Sequence, residues 1–126
     1  MLNNLFSVNN VLGLGLQAVQ LRGTVIANNI ANIDTPGFRR NVVSFENELA
    51  NEINTARRTG TPINLDNVRP AVQTLASNNP LRMDGNNIDI EAEMVALYQN
   101  SARYDSISIS LMNNFRRINT VLNSNI

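Results

Sequence analysis

All four prolines of this 126-residue chain, Pro36, Pro62, Pro70 and Pro80, lie in its middle. Proline donates no backbone hydrogen bond and biases the preceding residue away from the α region, so the middle cannot be one continuous helix while both ends can. Apolar spacing says what those ends are. Leu12, Leu16, Val19, Ile26, Ile30 and Ile33 recur at steps of three and four, with Leu5 one heptad earlier and Gly23 in one slot. That is the seam of a coiled coil. A second stripe, Val11, Leu14, Ala18, Leu21 and Val25, lies two residues on from the seam. At about 100° per residue it occupies the opposite face.

The C-terminal segment follows the same rule for longer. Ile90, Met94, Leu97, Ser101, Tyr104, Ser108, Leu111, Phe115, Ile118 and Leu122 keep an unbroken four-three alternation. One position on, Val95, Tyr98, Ala102, Ile109 and Met112 widen the apolar face beyond what one partner helix covers. The expected fold is mainly α, with two long terminal helices forming an antiparallel coiled coil around a short irregular middle segment. The divisions fall at 1–34, 35–88 and 89–126.

Charge follows the same division. Residues 1–33 carry only Arg22, whereas 39–93 carry fourteen of the twenty charges, which assigns the middle to solvent. Within it, 44–58 is expected to be a short helix capped by Ser44, with Phe45, Leu49, Ile53 and Ala56 on one face. Residues 59–87 show no sustained period and read as extended or irregular chain, with Asp84-Gly85 as a turn. The C-terminal helix should begin at Asp89 as N-cap, with Glu91 and Glu93 facing the positive end of its dipole.

Several function classes lose their chemistry here. Ten arginines balance ten acids, so no electrostatic surplus exists for nucleic acid or an anionic membrane. There is no histidine and no cysteine, which removes the usual general base, the thiolate nucleophile and the common transition-metal ligands. Glu91 and Glu93 diverge by about 200° on a helix and do not converge on a substrate. Asp84, Asn86, Asp89 and Glu91 lack the calcium-loop spacing, Gly85 being misplaced. No catalytic, cofactor or metal site is expected. Residues 1–21 are uncharged, but Asn9, Asn10 and Gln17 interrupt any run long enough for a signal peptide or membrane span, and a surface-lying helix would want a basic polar face. The segment is expected to be retained and not to insert into a membrane.

The most specific signal is Asn28-Asn29-Ile30-Ala31-Asn32-Ile33-Asp34-Thr35-Pro36-Gly37-Phe38-Arg39-Arg40. Pro-Gly at two central positions makes a type II turn, Gly37 supplying the positive φ, and the turn delivers Phe38 to pack. The asparagines can satisfy carbonyls left free at the helix end. NNIAN, two residues, then TPGF resembles the amino-terminal signature of the flagellar rod and hook proteins. The stretch Met83-Asp84-Gly85-Asn86-Asn87-Ile88-Asp89-Ile90-Glu91, leading to Glu93, Met94, Leu97, Asn100, Tyr104 and Phe115, is similar to the short proximal rod members of that family. The hook and distal rod relatives carry an added domain for which this chain has no space.

The resemblance implies a structural subunit whose terminal helices build the inner coiled-coil layer of the axial tube. Leu12, Leu16, Val19, Ile26, Ile30, Ile90, Met94, Leu97, Tyr104, Leu111, Phe115 and Ile118 would be its assembly seam. Asn28, Asn29, Asn32, Thr35, Pro36, Gly37 and Phe38 would be its turn motif. Implied partners are further copies of the chain, other rod proteins, the ring-to-rod adaptor, the inner-membrane ring and the flagellar export apparatus. The implied location is the periplasmic part of the basal body, reached by type III export without signal cleavage. A sibling rod protein or a type III needle-like subunit is the alternative.

Overall fold

A computed structural model describes residues 2–76 and 83–124. Pro80 and the side chain of Leu5 lie outside what is described. Two helices dominate, α1 (Leu2–Ala31) and α3 (Ile90–Asn123). At about 1.5 Å per residue they are roughly 45 and 50 Å long. They pack antiparallel. Asn9 bonds Asn114 at one end, the Val19 carbonyl accepts from Asn100 halfway, and Asn29 reaches Glu93 at the other. Asp89 caps α3 as expected, its carboxylate accepting from the N–H groups of Glu91 at 3.0 Å and Ala92 at 3.3 Å.

The middle is more ordered than its broken periodicity suggests. Strand β1 (Asn41–Ser44), helix α2 (Glu46–Thr59) and strand β2 (Ala71–Thr74) lie between the long helices. β1 and β2 pair antiparallel, with Val42 opposite Gln73 and Val43 opposite Val72. The β-branched pair Val42-Val43 suits a pleated strand, but a four-residue strand is too short for alternation to reveal it. Ser44 is not the cap of α2. It ends β1, and Phe45 stands at the N-cap without any side-chain cap bond. Burial explains the exchange, because Phe45 is anchored in the core and its position sets where α2 begins. Glu46 and Glu48 then occupy the first turn, Arg57 and Arg58 the last, and Gly60 closes the helix in the left-handed region.

The core cluster is Ala18, Phe45 and Val68, flanked by Leu14, Leu49 and Leu65. The second stripe of α1 is therefore covered from within the chain, Ala18 and Val25 being buried. α1 is sandwiched, with α3 on one side and the middle segment on the other. The middle thus has an inner face that its charge content concealed.

Because Phe45 fills the centre of this cluster, Phe45→Ala should cost about 3 kcal/mol. Urea denaturation should show a lower midpoint with an unchanged slope.

Candidate assembly interface

The two sequence motifs interlock at one end of the helix pair. Phe38 N–H donates to the Thr35 carbonyl at 3.2 Å, and Gly37 adopts φ 73°, the type II turn expected. Gly37 N–H donates to the Asp84 carbonyl at 2.9 Å, which ties the turn to the second motif. Asn86 is fully buried behind it. Its Nδ2 donates to the carbonyls of Asn32 at 3.2 Å, Ile33 at 2.9 Å and Thr35 at 3.1 Å, and its Oδ1 accepts from Ile88 N–H at 2.8 Å. Carbonyls at the end of α1, which no further helical turn can satisfy, are thus capped from across the chain.

The asparagines of α1 divide their work. Asn32 donates to the Asn28 carbonyl at 2.8 Å. Asn29 instead turns inward and is fully buried. Its Nδ2 donates to the Asn41 carbonyl at 2.8 Å and its Oδ1 accepts from Asn41 N–H at 3.0 Å, as a neighbouring peptide would. The same Nδ2 reaches Glu93 Oε2 at 3.2 Å. Arg40 Nε pairs with Glu93 Oε1, and Arg40 N–H donates to Asn87 Oδ1 at 2.7 Å. Glu93 stands in the first turn of α3 as expected, and being fully buried it is also the inner half of this ion pair. One turn into the helix it points at α1, where a charge must be paired.

The face of α3 turned to α1 is also rotated from the apolar seam. Glu93, Asn100, Ile107 and Asn114, seven residues apart, meet α1 along its length. Asn100 Nδ2 donates to the Val19 carbonyl at 2.9 Å, Ile107 lies opposite Gly15, and Asn114 Nδ2 donates to Asn9 Oδ1 at 3.1 Å. Gly23 makes room for Asn100, since a Cβ there would stand 3.3 Å from its Nδ2. Hydrophobic period cannot find this ladder because three of its four members are polar. The seven-residue recurrence of Glu and Asn was the available signal.

The expected seam residues consequently divide. Val19 and Ile26 are buried, while Leu12, Leu16, Ile30, Leu97, Leu111 and Ile118 are half-buried. Ile90, Met94, Tyr104 and Phe115 remain 41, 38, 39 and 53% exposed, so the helix pair leaves a large part of each uncovered. Of the turn motif, Asn29 is buried, Asn32 and Phe38 are half-buried, and Asn28, Thr35, Pro36 and Gly37 are exposed. Val95, Tyr98, Ile109 and Met112 add to the bare outer face of α3.

Beside this pair, α1, α2 and α3 enclose an open groove of about 440 Å³, walled by Leu12, Val19, Phe45, Leu49 and Ile107. Arg22, Glu46 and Arg103 are its charged members. Arg22 Nη2 donates to both Glu46 oxygens, at 2.6 and 2.8 Å, joining α1 to α2. Burial pushes the Glu46 carboxyl up, but the Arg22 hydrogen bond, the backbone N–H and the charges of Arg22 and Arg103 outweigh it and hold it below its ordinary 4.5. Among the described residues no acidic cluster could hold a metal ion, and no helix is long and apolar enough to cross a membrane.

Comparison with known proteins relates this sequence to a family. Residues 10–39 match the family model described as flagella basal body rod protein. The chain is 36% identical to the flagellar basal body rod protein FlgB of Borrelia hermsii, over 85% of this chain and 89% of that one. The corresponding protein of Borreliella burgdorferi is 34% identical over the same shares. That of Bacillus subtilis is 32% identical, over 85% of this chain and 86% of its own.

Two outcomes follow from the buried pair and the groove pair. Arg40→Met strands the Glu93 carboxylate and should cost roughly 3 kcal/mol, whereas Arg40→Met with Glu93→Met should recover most of it, as read from urea melts of all three variants. For Glu46 the folded pKa is the lower one, so its stabilisation is whole above pH 4.5 and is lost as pH falls through the folded value. The difference in thermal midpoint between the unaltered chain and Glu46→Gln should therefore be present at neutral pH and shrink on acidification below 4.5.

Proposed function

The chain belongs to the family of the flagellar basal body rod protein FlgB and is a structural subunit of the flagellar rod, and on that premise we propose that α3 is the helix through which it joins the tube. The family is structural and not one of enzymes, and its place is the flagellar basal body, among the other axial components.

One observation carries the proposal. α1 is packed against α3 on one side and the middle segment on the other, with Phe6 and Val8 exposed near its start, whereas α3 leaves Met94, Tyr98, Ile109, Met112 and Phe115 exposed along its length and, after Glu93, carries only Arg103, Asp105, Arg116 and Arg117 as charges. An exposed apolar stripe of that length with so little charge resembles the core of an interface. Burying each large apolar side chain fully contributes about 1.5 to 3 kcal/mol, so a few per neighbour suffice to offset the ordering cost of docking. Of the assembly seam, Leu12, Leu16, Val19, Ile26, Ile30, Leu97, Leu111 and Ile118 hold the helix pair together, and Ile90, Met94, Tyr104 and Phe115 meet neighbouring subunits. The clasp around Asn29, Asn86 and Glu93 keeps the pair in one register, so that each subunit offers the same outer face.

The family membership supports the rest of the reading. Neighbours in the rod are further copies of the chain, other rod proteins, and the ring-to-rod adaptor at the inner-membrane ring. The subunit reaches the periplasm through the flagellar type III export apparatus.

Phe115→Asp tests the division of labour. The variant monomer should keep most of the helical circular dichroism and thermal midpoint of the unaltered chain, because Phe115 is 53% exposed, yet yield no rods and non-motile cells. Val19→Asp, at a buried position, should instead unfold the monomer.

A further inference from the structure

The groove between α1, α2 and α3 and the outer stripe of α3 are both bare, and they complement each other in polarity and charge. The stripe of Met94, Tyr98, Asp105, Ile109 and Met112 recurs at steps that keep it on one side of α3. At about 100° per residue, Tyr98 and Ile109 stand roughly 160° from Asn100 and Ile107, the residues turned to α1. The stripe cannot fold back into the groove of its own chain, because one helix supplies both on different sides. Tyr98 is 70% exposed and Ile109 54%.

Charge completes the match. The groove holds two arginines, Arg22 and Arg103, and one carboxylate, Glu46. Arg22 already grips both oxygens of Glu46, which leaves Arg103 as the surplus cation. The stripe holds one charged residue among its five, Asp105, the sole acid of α3 beyond Glu93. We propose that copies of this chain join head to tail, the α3 stripe of one copy seated in the groove of the next and Asp105 of the first paired with Arg103 of the second. A single charged pair within an apolar seam sets register, since a shift along the groove would press Asp105 against Phe45 or Leu49. The contact joins two unlike surfaces, so each copy offers a free groove and a free stripe to further copies, and the series closes as a ring or continues as an open helix according to the rotation between neighbours. The inference rests on the rod-subunit reading and names the surfaces by which like subunits meet within it.

The chain has no cysteine, so engineered thiols report without background. Arg103→Cys and Asp105→Cys are placed together in one chain, where two positions about 200° apart on a helix cannot bridge each other. Oxidation of isolated basal bodies should produce covalent dimers and higher multiples from the double variant and none from either single variant. Basal bodies that contain the double variant but yield only monomer, or cross-links to a different protein, overturn the head-to-tail contact and leave the subunit in the rod. Absence of the unaltered chain from isolated basal bodies overturns the rod-subunit reading and the contact with it. Should the double cysteine variant not assemble, the charge swap decides. Asp105→Arg and Arg103→Asp should each cause loss of swimming, and the two together should restore it. Singles that swim like the unaltered strain overturn the proposal.

Discussion

A carboxylate without access to water sits between the two long helices, and the fold around it is arranged to keep it paired. An unpaired charge at that depth costs several kcal/mol, more than a large buried side chain contributes. Glu93 is paired only if Arg40 arrives beside it, and Arg40 arrives only if the chain reverses after α1. The Pro36-Gly37 turn makes that reversal. Asn29 then holds Asn41 by both its N–H and its carbonyl, so β1 starts in one register, and Phe45 follows into the core four residues later. Among the described residues the three most completely buried large side chains are Glu93, Asn29 and Asn86, all polar. An apolar seam permits several sliding registers, whereas hydrogen-bond donors and acceptors must each meet a partner. The Asn100 and Asn114 bonds carry the same constraint along the pair.

With the register held by polar contacts, the apolar residues are free for a second use. α1 turns both stripes toward the rest of the subunit, although its Val11 and Leu12 also line the open groove. α3 turns one face inward, where Glu93, Asn100 and Asn114 share the contact with Leu97, Ile107, Leu111 and Ile118, and most of its large apolar side chains are exposed. This asymmetry joins sequence to function in a structural protein. A monomer would place charge on that face for solubility, and here only Arg103, Asp105, Arg116 and Arg117 are available beyond Glu93. That charge-poor apolar face is the ground for the docking role proposed for α3.

The sequence by itself determined the two long helices, the cap at Asp89, the turn at Pro36-Gly37 and the family, because each depends on local rules: proline placement, helical period, a carboxylate beside free N–H groups, a glycine where φ is positive. It also determined the absence of histidine and cysteine chemistry, which needs no coordinates. Only the tertiary structure decided which side of α3 meets α1, that Ser44 ends a strand while Phe45 opens α2, that residues 71–74 pair with 41–44, and that Glu93 is an ion-pair partner. These depend on residues far apart in the chain. Asn29 and Glu93 are 64 residues apart and Asn100 and Val19 81, and a polar residue carries no mark of burial until its partner is in place. Hydrophobic period locates a seam by where apolar side chains fall. In this chain the face of α3 that meets α1 is set as much by where Glu93, Asn100 and Asn114 find partners as by where apolar side chains fall, and those partners come together only in the folded chain.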